Sequence, residues 1–309
     1  MSSVMIYFKY LIKTILSNIS PNKSIFNVVV VCIRTFLLNL KYSFKNFYKL
    51  PSKIYSDDIS KSSFWTNALT HLRFVNYFYD RKNILKAPII KIVAGGFLRD
   101  LSNIDFKNQN IDIITDKATN KIIKEFNYLN YNSVYDWLDT YNQSLKNEKI
   151  TFESYKNIKD LSVLEIGPGI GFNSLIYESF TSKDIYFYDF KEFLDIQKKI
   201  LKNFDNLLDK VNFFSDVDLL KDKLKDKDYF VTSYWAFSEF NMEDRKMFYK
   251  VIENARFSLF LSNPNFEDVS NHVFFNDLSK KINKKLLVIP FEKKNQPSFT
   301  KAHNYYILY

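Results

Sequence analysis

Leu161-Ser-Val-Leu-Glu-Ile-Gly-Pro-Gly-Ile-Gly171 is the stretch that decides how this chain folds. The apolar run that ends at Ile166 predicts a buried strand of a parallel sheet. Glycine then recurs at every second position, which allows the backbone to turn sharply and to come close to a ligand. Residues 172–180 predict a helix whose N-terminus faces the same ligand. A strand, a glycine turn and a helix in this order indicate a binding unit for a nucleotide-type ligand.

The spacing of Gly167, Gly169 and Gly171 distinguishes between kinds of nucleotide. A dinucleotide-binding turn has the pattern G-x-G-x-x-G, and here Phe172 stands in place of its third glycine. No Gly-Lys-Ser/Thr follows, so a phosphate-binding P-loop is also excluded. The pattern Glu-x-Gly-x-Gly-x-Gly at a strand end resembles the first motif of the class I S-adenosylmethionine-dependent methyltransferases. An ordinary tight turn between a strand and a helix is the alternative interpretation.

The resemblance implies a site for S-adenosylmethionine on particular residues. It implies that Glu165 places the amino group of the cofactor and that the three glycines pack against its methionine part. Asp189 ends a β-rich run, residues 183–188, and a carboxylate there can accept two hydrogen bonds from ribose hydroxyls. Asp216 follows the next predicted strand, at a position that in this family often contacts the adenine amino group. The alternatives are a loop aspartate for Asp189 and a helix cap for Asp216.

Short apolar runs predict seven strands in the second half of the chain. They cover residues 161–166, 183–188, 211–214, 229–233, 256–262, 286–290 and 304–309. The resemblance implies a Rossmann-like α/β sheet of seven strands, whose last strand is antiparallel and lies between its neighbours. We therefore predict an S-adenosylmethionine-binding methyltransferase domain over residues 151–309. Residues 1–150 are predicted to form a mainly helical N-terminal cap or substrate region.

The fourth predicted strand runs into Tyr-Trp-Ala-Phe-Ser-Glu, residues 234–239. Ligands of open α/β sheets bind beyond the carboxyl ends of the strands, so Ser233 and Tyr234 are predicted to bind the substrate. This segment, the later pair His303-Asn304 and a helical N-terminal part resemble the sugar O-methyltransferases of bacterial polysaccharide clusters. The resemblance implies transfer of a methyl group to a sugar hydroxyl in glycan or polysaccharide biosynthesis.

Methylation of a hydroxyl needs a general base, because an alcohol is a poor nucleophile at neutral pH. Glu239 and His303 are the catalytic candidates, either as this base or as contacts to the substrate. The alternative for Glu239 is that it is simply a polar residue at the start of a helix. The alternative for His303 is a purely structural role. Metal ligands do not cluster along the sequence, so we assign no metal site, and the need for a divalent metal stays open.

Two other methyltransferase chemistries lack the residues they need. Methylation of base amino groups often uses Asn/Asp-Pro-Pro-Tyr/Phe after the fourth strand, where this chain has Thr-Ser-Tyr-Trp. Ser262-Asn-Pro-Asn-Phe266 is similar, but it follows the fifth strand, and we interpret it as a loop. Methylation of cytosine C5 needs a thiolate nucleophile. The single cysteine, Cys32, lies outside the catalytic half of the chain.

The net charge of +10 comes mostly from lysines that are spread over the whole chain. A dedicated nucleic-acid module would concentrate its basic residues, so we predict no specific nucleic-acid partner. The charge is compatible with nucleotide-sugar phosphates, lipid-linked glycans, anionic membranes or RNA. We predict a sugar, a nucleotide sugar or a glycan as the substrate. One cysteine excludes an intramolecular disulfide, which favours the reducing cytoplasm as the location.

Residues 1–40 contain two apolar stretches, 5–19 and 25–40, that Ser20-Pro21-Asn22 separates. Each is shorter than the roughly 20 residues that span a bilayer, and no signal peptide is recognisable. Basic amphipathic helices bind anionic membranes. These residues are therefore predicted either to form a helical cap or to make peripheral contact with the inner membrane face. Two functional alternatives stay open: an RNA or small-molecule methyltransferase on this fold, and a non-catalytic membrane scaffold with a degenerate cofactor site.

Overall fold

The computed structural model describes residues 69, 72, 75–76, 79–87, 90, 111–146, 158–266, 269–292 and 303–309. The predicted membrane contact through residues 1–40 lies outside these residues and stays a prediction. None of the described helices combines the length and the apolar character that crossing a bilayer requires.

The centre of the described structure is a mostly parallel β-sheet. The strands are β1 Ser162–Ile166, β2 Ile185–Tyr188, β3 Val211–Phe214, β4 Tyr229–Tyr234, β5 Ser258–Ser262, β6 Asn265–Phe266, β7 Val269–Ser270, β8 Leu286–Pro290 and β9 Asn304–Leu308. Within the described residues, seven of them form one sheet in the order β3-β2-β1-β4-β5-β9-β8. β1 to β5 are parallel, and β9 runs antiparallel between β5 and β8. This is the predicted Rossmann-like sheet of class I methyltransferases, so the predicted fold class is confirmed.

The central strands are buried along their whole length. Every residue of β1, β2, β4 and β5 is buried. Val163 and Phe230 belong to the core on one face of the sheet, and Leu164 and Val231 belong to the core on the other. Successive residues of a strand point to opposite faces, and here both faces are covered. This is why these strands are continuous apolar runs in the sequence rather than alternating ones.

Two helices from the first half of the chain pack on this sheet, α1 Ile113–Glu125 and α2 Tyr131–Lys146. The carboxylate of Asp112 caps α1 by accepting hydrogen bonds from the amides of Ile114 (2.9 Å) and Thr115 (3.2 Å). Leu138 and Leu145 of α2 lie in the same core as the strand residues on that face. The predicted domain boundary at residues 150 and 151 falls in a segment that the structure does not describe, and it stays a prediction.

The remaining helices connect the strands. They are α3 Ser174–Phe180, α4 Lys191–Leu201, α5 Leu207–Lys210, α6 Val217–Leu224, α7 Met242–Met247, α8 Tyr249–Asn254 and α9 Asn271–Lys281, with a 3-10 helix at Ala236–Glu239. The interpretation of residues 262–266 as a loop is wrong at its end. Asn265 and Phe266 form β6, which pairs antiparallel with β7 just before α9. The partner strand lies outside the motif, so the motif alone did not reveal the pairing.

Candidate active site

The glycine loop leaves β1 in a conformation that side chains rarely adopt. Gly167 has φ +72°, and its amide donates a hydrogen bond to the carbonyl of Tyr188 at 2.8 Å. A Cβ atom on Gly167 would lie 2.1 Å from Cβ of Ala236, in the segment that follows β4. Glycine is therefore required here, because the segments after β1 and β4 touch at this point.

Gly169 faces open space instead. Its φ is +61°, and a Cβ atom placed on it would meet no other atom within 4 Å. Its carbonyl accepts a hydrogen bond from Nε2 of Gln197 in α4 at 2.8 Å. The loop thus presents bare backbone to a space that a ligand can occupy, while α4 holds the loop from behind.

Glu165, at 0% exposure, is the fully buried acid of this site and the second-last residue of β1 before the loop. The side-chain amide of Asn173 donates a hydrogen bond to its Oε2 atom. Burial raises the pKa of Glu165 well above its usual range, a hydrogen bond from Tyr177 opposes this shift, and the negative charge of Asp189 adds to it. The carboxylate therefore lies in a place where a positively charged partner would stabilise it.

Asp189 follows β2 and is also buried, at 7% exposure. Its Oδ1 atom accepts a hydrogen bond from the amide of Phe190 at 2.8 Å, and its Oδ2 atom accepts one from Nε2 of Gln197 at 3.0 Å. Burial raises its pKa well above the usual range, although both hydrogen bonds oppose the shift. Gln197 thus joins Asp189 to the carbonyl of Gly169, so two predicted cofactor residues meet through a residue that the sequence did not single out.

Three buried acceptor oxygens around the loop have no hydrogen-bond partner among the described residues. They are Oε1 of Glu165, Oδ1 of Asn173 and Oε1 of Gln197. A buried acceptor left unpaired costs about 1–3 kcal/mol, and native structures leave few such groups without a reason. All three atoms need a donor. S-adenosylmethionine carries such donors in its ammonium group and its ribose hydroxyls, so the residues present fit this cofactor.

Asp216 caps α6 in the structure. Its exposed carboxylate accepts hydrogen bonds through Oδ1 from the amides of Asp218 (2.8 Å) and Leu219 (3.1 Å). The capping alternative is therefore realised. A contact with adenine through the other carboxylate oxygen stays a prediction.

Ser233 and Tyr234 are tied to the protein itself. Ser233 is 1% exposed, and its hydroxyl donates to the carbonyl of Ile166 (2.7 Å) and accepts from the amide of Phe237 (3.0 Å). Tyr234 is 5% exposed, and its hydroxyl is hydrogen-bonded to Ser144 of α2. These contacts favour a role for both residues in positioning the segment after β4. Direct binding of a substrate by Ser233 or Tyr234 stays a prediction.

Trp235, the next residue, is like Gln197 a residue to which the sequence assigned no role. Its φ is +69°, which is an outlier for a bulky side chain. Its ring is partly buried and stacks on Trp137 of α2, with centroids 5.6 Å apart and an interplanar angle of 22°. Strained residues held by many contacts cluster at functional sites. The signal in the sequence was an aromatic residue directly after the fourth strand.

His303 lies beside Trp235 and is 6% exposed. Its Nδ1 atom accepts a hydrogen bond from Nε1 of Trp235 at 2.7 Å. Burial lowers the pKa of the imidazole. Because Nδ1 accepts this hydrogen bond, it carries no proton, and the ring proton lies on Nε2. While this bond persists, Nδ1 is not available as a base, and the geometry favours the role of a substrate or positioning contact for His303.

Glu239 ends the 3-10 helix Ala236–Glu239, whose first residue touches Gly167. The residue is partly exposed, and its carboxyl makes no ion pair with any of the described residues. Desolvation raises its pKa to about 7. A carboxyl with this pKa is ionised in part at neutral pH and can still accept a proton, which is what a general base requires.

No group of three metal-binding side chains occurs in the part of the chain that the structure describes. Of the other two histidines, His272 is exposed on α9, and His71 lies outside the described residues. The requirement for a divalent metal therefore stays open.

No protein-family model matches the chain, and no curated protein does. The structure is similar to the methyltransferase domain of bacterial CtHen1, with a TM-score of 0.41 and 13% identity over 54% of this chain and 98% of that one. An S-adenosylmethionine-dependent methyltransferase from Clostridium acetobutylicum ATCC 824 gives a TM-score of 0.42 and 11% identity over 55% and 91%.

A methyltransferase from Aquifex aeolicus that depends on S-adenosylmethionine has a TM-score of 0.38 and 11% identity, over 56% of this chain and 96% of that chain. These structural neighbours are class I S-adenosylmethionine-dependent methyltransferases. At these identities and TM-scores the likeness says nothing about activity, which has to be argued from the residues of the site.

Gly169→Ala and Gly167→Ala are expected to separate cofactor binding from folding. Both place a side chain in the left-handed region, at a shared cost of about 1–2 kcal/mol. Gly167→Ala also forces its Cβ against Ala236, which adds about 1–3 kcal/mol of overpacking. Its melting temperature should therefore be the lower of the two. Gly169→Ala should fold but bind S-adenosylhomocysteine, the demethylated cofactor, at least tenfold more weakly than wild type in calorimetric titration. Equal melting temperatures would contradict the contact with Ala236.

Glu165→Gln is expected to stabilise the free protein and to weaken cofactor binding. The pKa of Glu165 is raised in the folded state, so its contribution to stability is present at acidic pH and is lost as the pH rises through the folded pKa. The gain in melting temperature should therefore grow as the pH rises above 4.5, the ordinary pKa, to about 2–4 °C if the relief is about 1 kcal/mol. It should shrink towards pH 4.5, as thermal unfolding at several pH values would show.

Glu178→Gln is the matched control for this change. Burial raises the pKa of Glu178, but Lys210 and Lys121 more than offset it, so the pKa is lowered overall. Its stabilising contribution is present above the unfolded pKa, and the variant should therefore lose a little stability at neutral pH. A gain of stability in both variants would mean that the effect of Glu165→Gln does not come from relief of buried charge.

Proposed function

We propose that this chain is an S-adenosylmethionine-dependent methyltransferase that methylates a sugar hydroxyl in glycan or polysaccharide biosynthesis. The observation that carries the proposal is a set of three unpaired buried acceptors on residues that flank the glycine loop, together with the open space at Gly169. A ligand that brings an ammonium group and hydroxyls would satisfy them. A dinucleotide or nucleoside triphosphate would instead bring phosphates, which these acceptors and buried acids would repel.

The cofactor would be held by acids at the ends of adjacent strands. Glu165 would pair with the ammonium group, since its buried carboxylate lacks a cationic partner among the described residues. Asp189 would accept hydrogen bonds from the ribose, and Asp216 would lie on the adenine side. When bound, S-adenosylmethionine supplies an electrophilic methyl group on a sulfonium. The chain supplies the orientation, which accounts for much of the rate in such transfers.

The acceptor would lie against Trp235 and Trp137. The stacked indoles are partly exposed, and they follow β4 at the carboxyl edge of the sheet, where open α/β folds bind ligands. Aromatic walls with a few polar groups are typical of small-ligand sites, and the C–H faces of a sugar ring pack well on an indole. Glu239, four residues after Trp235, would take the proton that the sugar hydroxyl loses.

Calorimetric titration with S-adenosylhomocysteine tests the cofactor site. We expect micromolar binding by the wild type and a loss of about 1–3 kcal/mol in Asp189→Ala, the value of a charge-assisted hydrogen bond. Asp222→Ala is the control, because Asp222 is exposed on α6. No binding by folded wild-type protein would remove the enzyme and leave the scaffold alternative, which liposome binding through residues 1–40 would then support.

The pH profile of methyl transfer tests the base. With a nucleotide sugar or glycan that the wild type methylates, kcat should rise with pH through about 7 as Glu239 loses its proton. Glu239→Gln should lower kcat by about 10²–10⁴-fold and abolish this limb, with unchanged affinity for S-adenosylhomocysteine. Glu243→Gln, an exposed acid of α7, serves as the control. Methylation of RNA alone, with steep salt dependence, would replace the sugar by an RNA acceptor.

A further inference from the structure

Arg245 is a fully buried cation on α7, at 0% exposure. Arginine is almost never fully buried unless it is paired. None of the carboxylates among the described residues lies within salt-bridge distance of its guanidinium. Desolvation lowers its pKa to about 10, so the group is still charged at neutral pH. Burying a charge without a neighbouring acid is unfavourable. We therefore expect the guanidinium of Arg245 to have a specific role in the structure.

The guanidinium is hydrogen-bonded on all three nitrogens. Nε donates to the carbonyl of Phe240 at 2.8 Å, and Nη2 donates to the carbonyl of Ser238. Nη1 donates to Oδ1 of Asn271 at 2.8 Å. The group also lies over the ring of Phe274, with 4.6 Å between its central carbon and the ring centroid. It is thereby fixed to α9 as well as to the segment after β4.

The two carbonyls that Arg245 holds belong to the residues on either side of Glu239. A planar fork of donors fixes both peptide groups at once, which a flexible ammonium does not do. The fork is anchored further through Asn271, whose Nδ2 atom donates to the carbonyl of Asn263 at 2.9 Å at the end of β5. The hydroxyl of Ser238 also reaches Oδ1 of Asn263, at 3.1 Å. The backbone of Glu239 is thus tied to two other parts of the fold.

We propose that Arg245 is a positioning residue of the active site, which fixes the Glu239 carboxyl by holding both carbonyls that flank it. The inference rests on the proposed function, in which Glu239 takes the proton of the acceptor. The same hydrogen bonds fix the distance between Glu239 and the glycine loop. The 3-10 helix that ends at Glu239 begins at Ala236, which lies against Gly167. Arg245 touches neither cofactor nor acceptor in this role.

The test is a titration of the Glu239 carboxyl by carbon-13 NMR, which needs no acceptor. Protein labelled at glutamate carboxyls is titrated, and Glu239→Gln identifies the resonance. The wild-type midpoint should be about 7. In Arg245→Lys we expect the midpoint to fall towards the ordinary value of 4.5, because a released segment lets water reach the carboxyl. Affinity for S-adenosylhomocysteine should stay within about twofold, since the residues at Gly169 are untouched.

Two further variants complete the test, one as a control and one as a substitute for a variant that does not fold. Arg256→Lys changes an arginine whose side chain is 63% exposed and paired with Asp228, and it should leave the midpoint at about 7. If Arg245→Lys does not fold, Asn271→Ala removes one anchor of the guanidinium and should shift the midpoint in the same direction by less. A folded Arg245→Lys variant whose Glu239 midpoint is unchanged would overturn the proposal.

The experiments distinguish failure of the positioning hypothesis from failure of the proposed function. Absence of S-adenosylhomocysteine binding by the wild type counts against the methyltransferase, whereas the NMR midpoint reports on Arg245 in either case. With an active wild type, Arg245→Lys should lower kcat tenfold or more, leave KM for S-adenosylmethionine unchanged and move the acidic limb of the pH profile. A residue that only stabilised the fold would lower the melting temperature without moving that limb.

Discussion

The rest of the site depends on one steric constraint, the approach of the segment after β1 to the segment after β4. One added carbon atom on Gly167 would lie 2.1 Å from Cβ of Ala236. Ser233 reinforces the approach, because its hydroxyl bonds to Ile166 on one segment and to Phe237 on the other. The glycine loop and the segment that carries Trp235 and Glu239 are therefore held against each other. A change at either segment alters both.

Electrostatics set a second constraint, because the site keeps charged groups away from water. Glu165 and Asp189 are acids whose pKa values are raised by burial, and Arg245 is a cation whose pKa is lowered by it. Each of these groups is destabilising until it finds a partner. The acids lie next to the glycine loop, where a ligand can serve as the partner. Arg245 faces backbone carbonyls, so its partner is the protein itself. The first arrangement suits binding, and the second suits rigidity.

The sequence predicted most of the fold, because its signals are local. β3 and β8 begin and end where short apolar runs do, and the family resemblance implied the antiparallel last strand between its neighbours. The site was harder to predict from the sequence. Glu165 and Asp189 were identifiable at strand ends, but Gln197 joins Asp189 to the loop from a helix face with no local signature. Side chains such as Ser233 and Tyr234 looked available at a strand end, yet long-range contacts occupy their hydroxyls.

The stacked indoles of Trp137 and Trp235 also have an optical consequence. The chain contains three tryptophans, and two of them lie face to face with centroids 5.6 Å apart. At this separation their ultraviolet transitions are coupled, and the emission of each is sensitive to the other. One indole belongs to α2 and the other to the segment after β4. The native protein therefore contains a spectroscopic reporter of the contact between these two parts, which circular dichroism in the near ultraviolet can follow without any label.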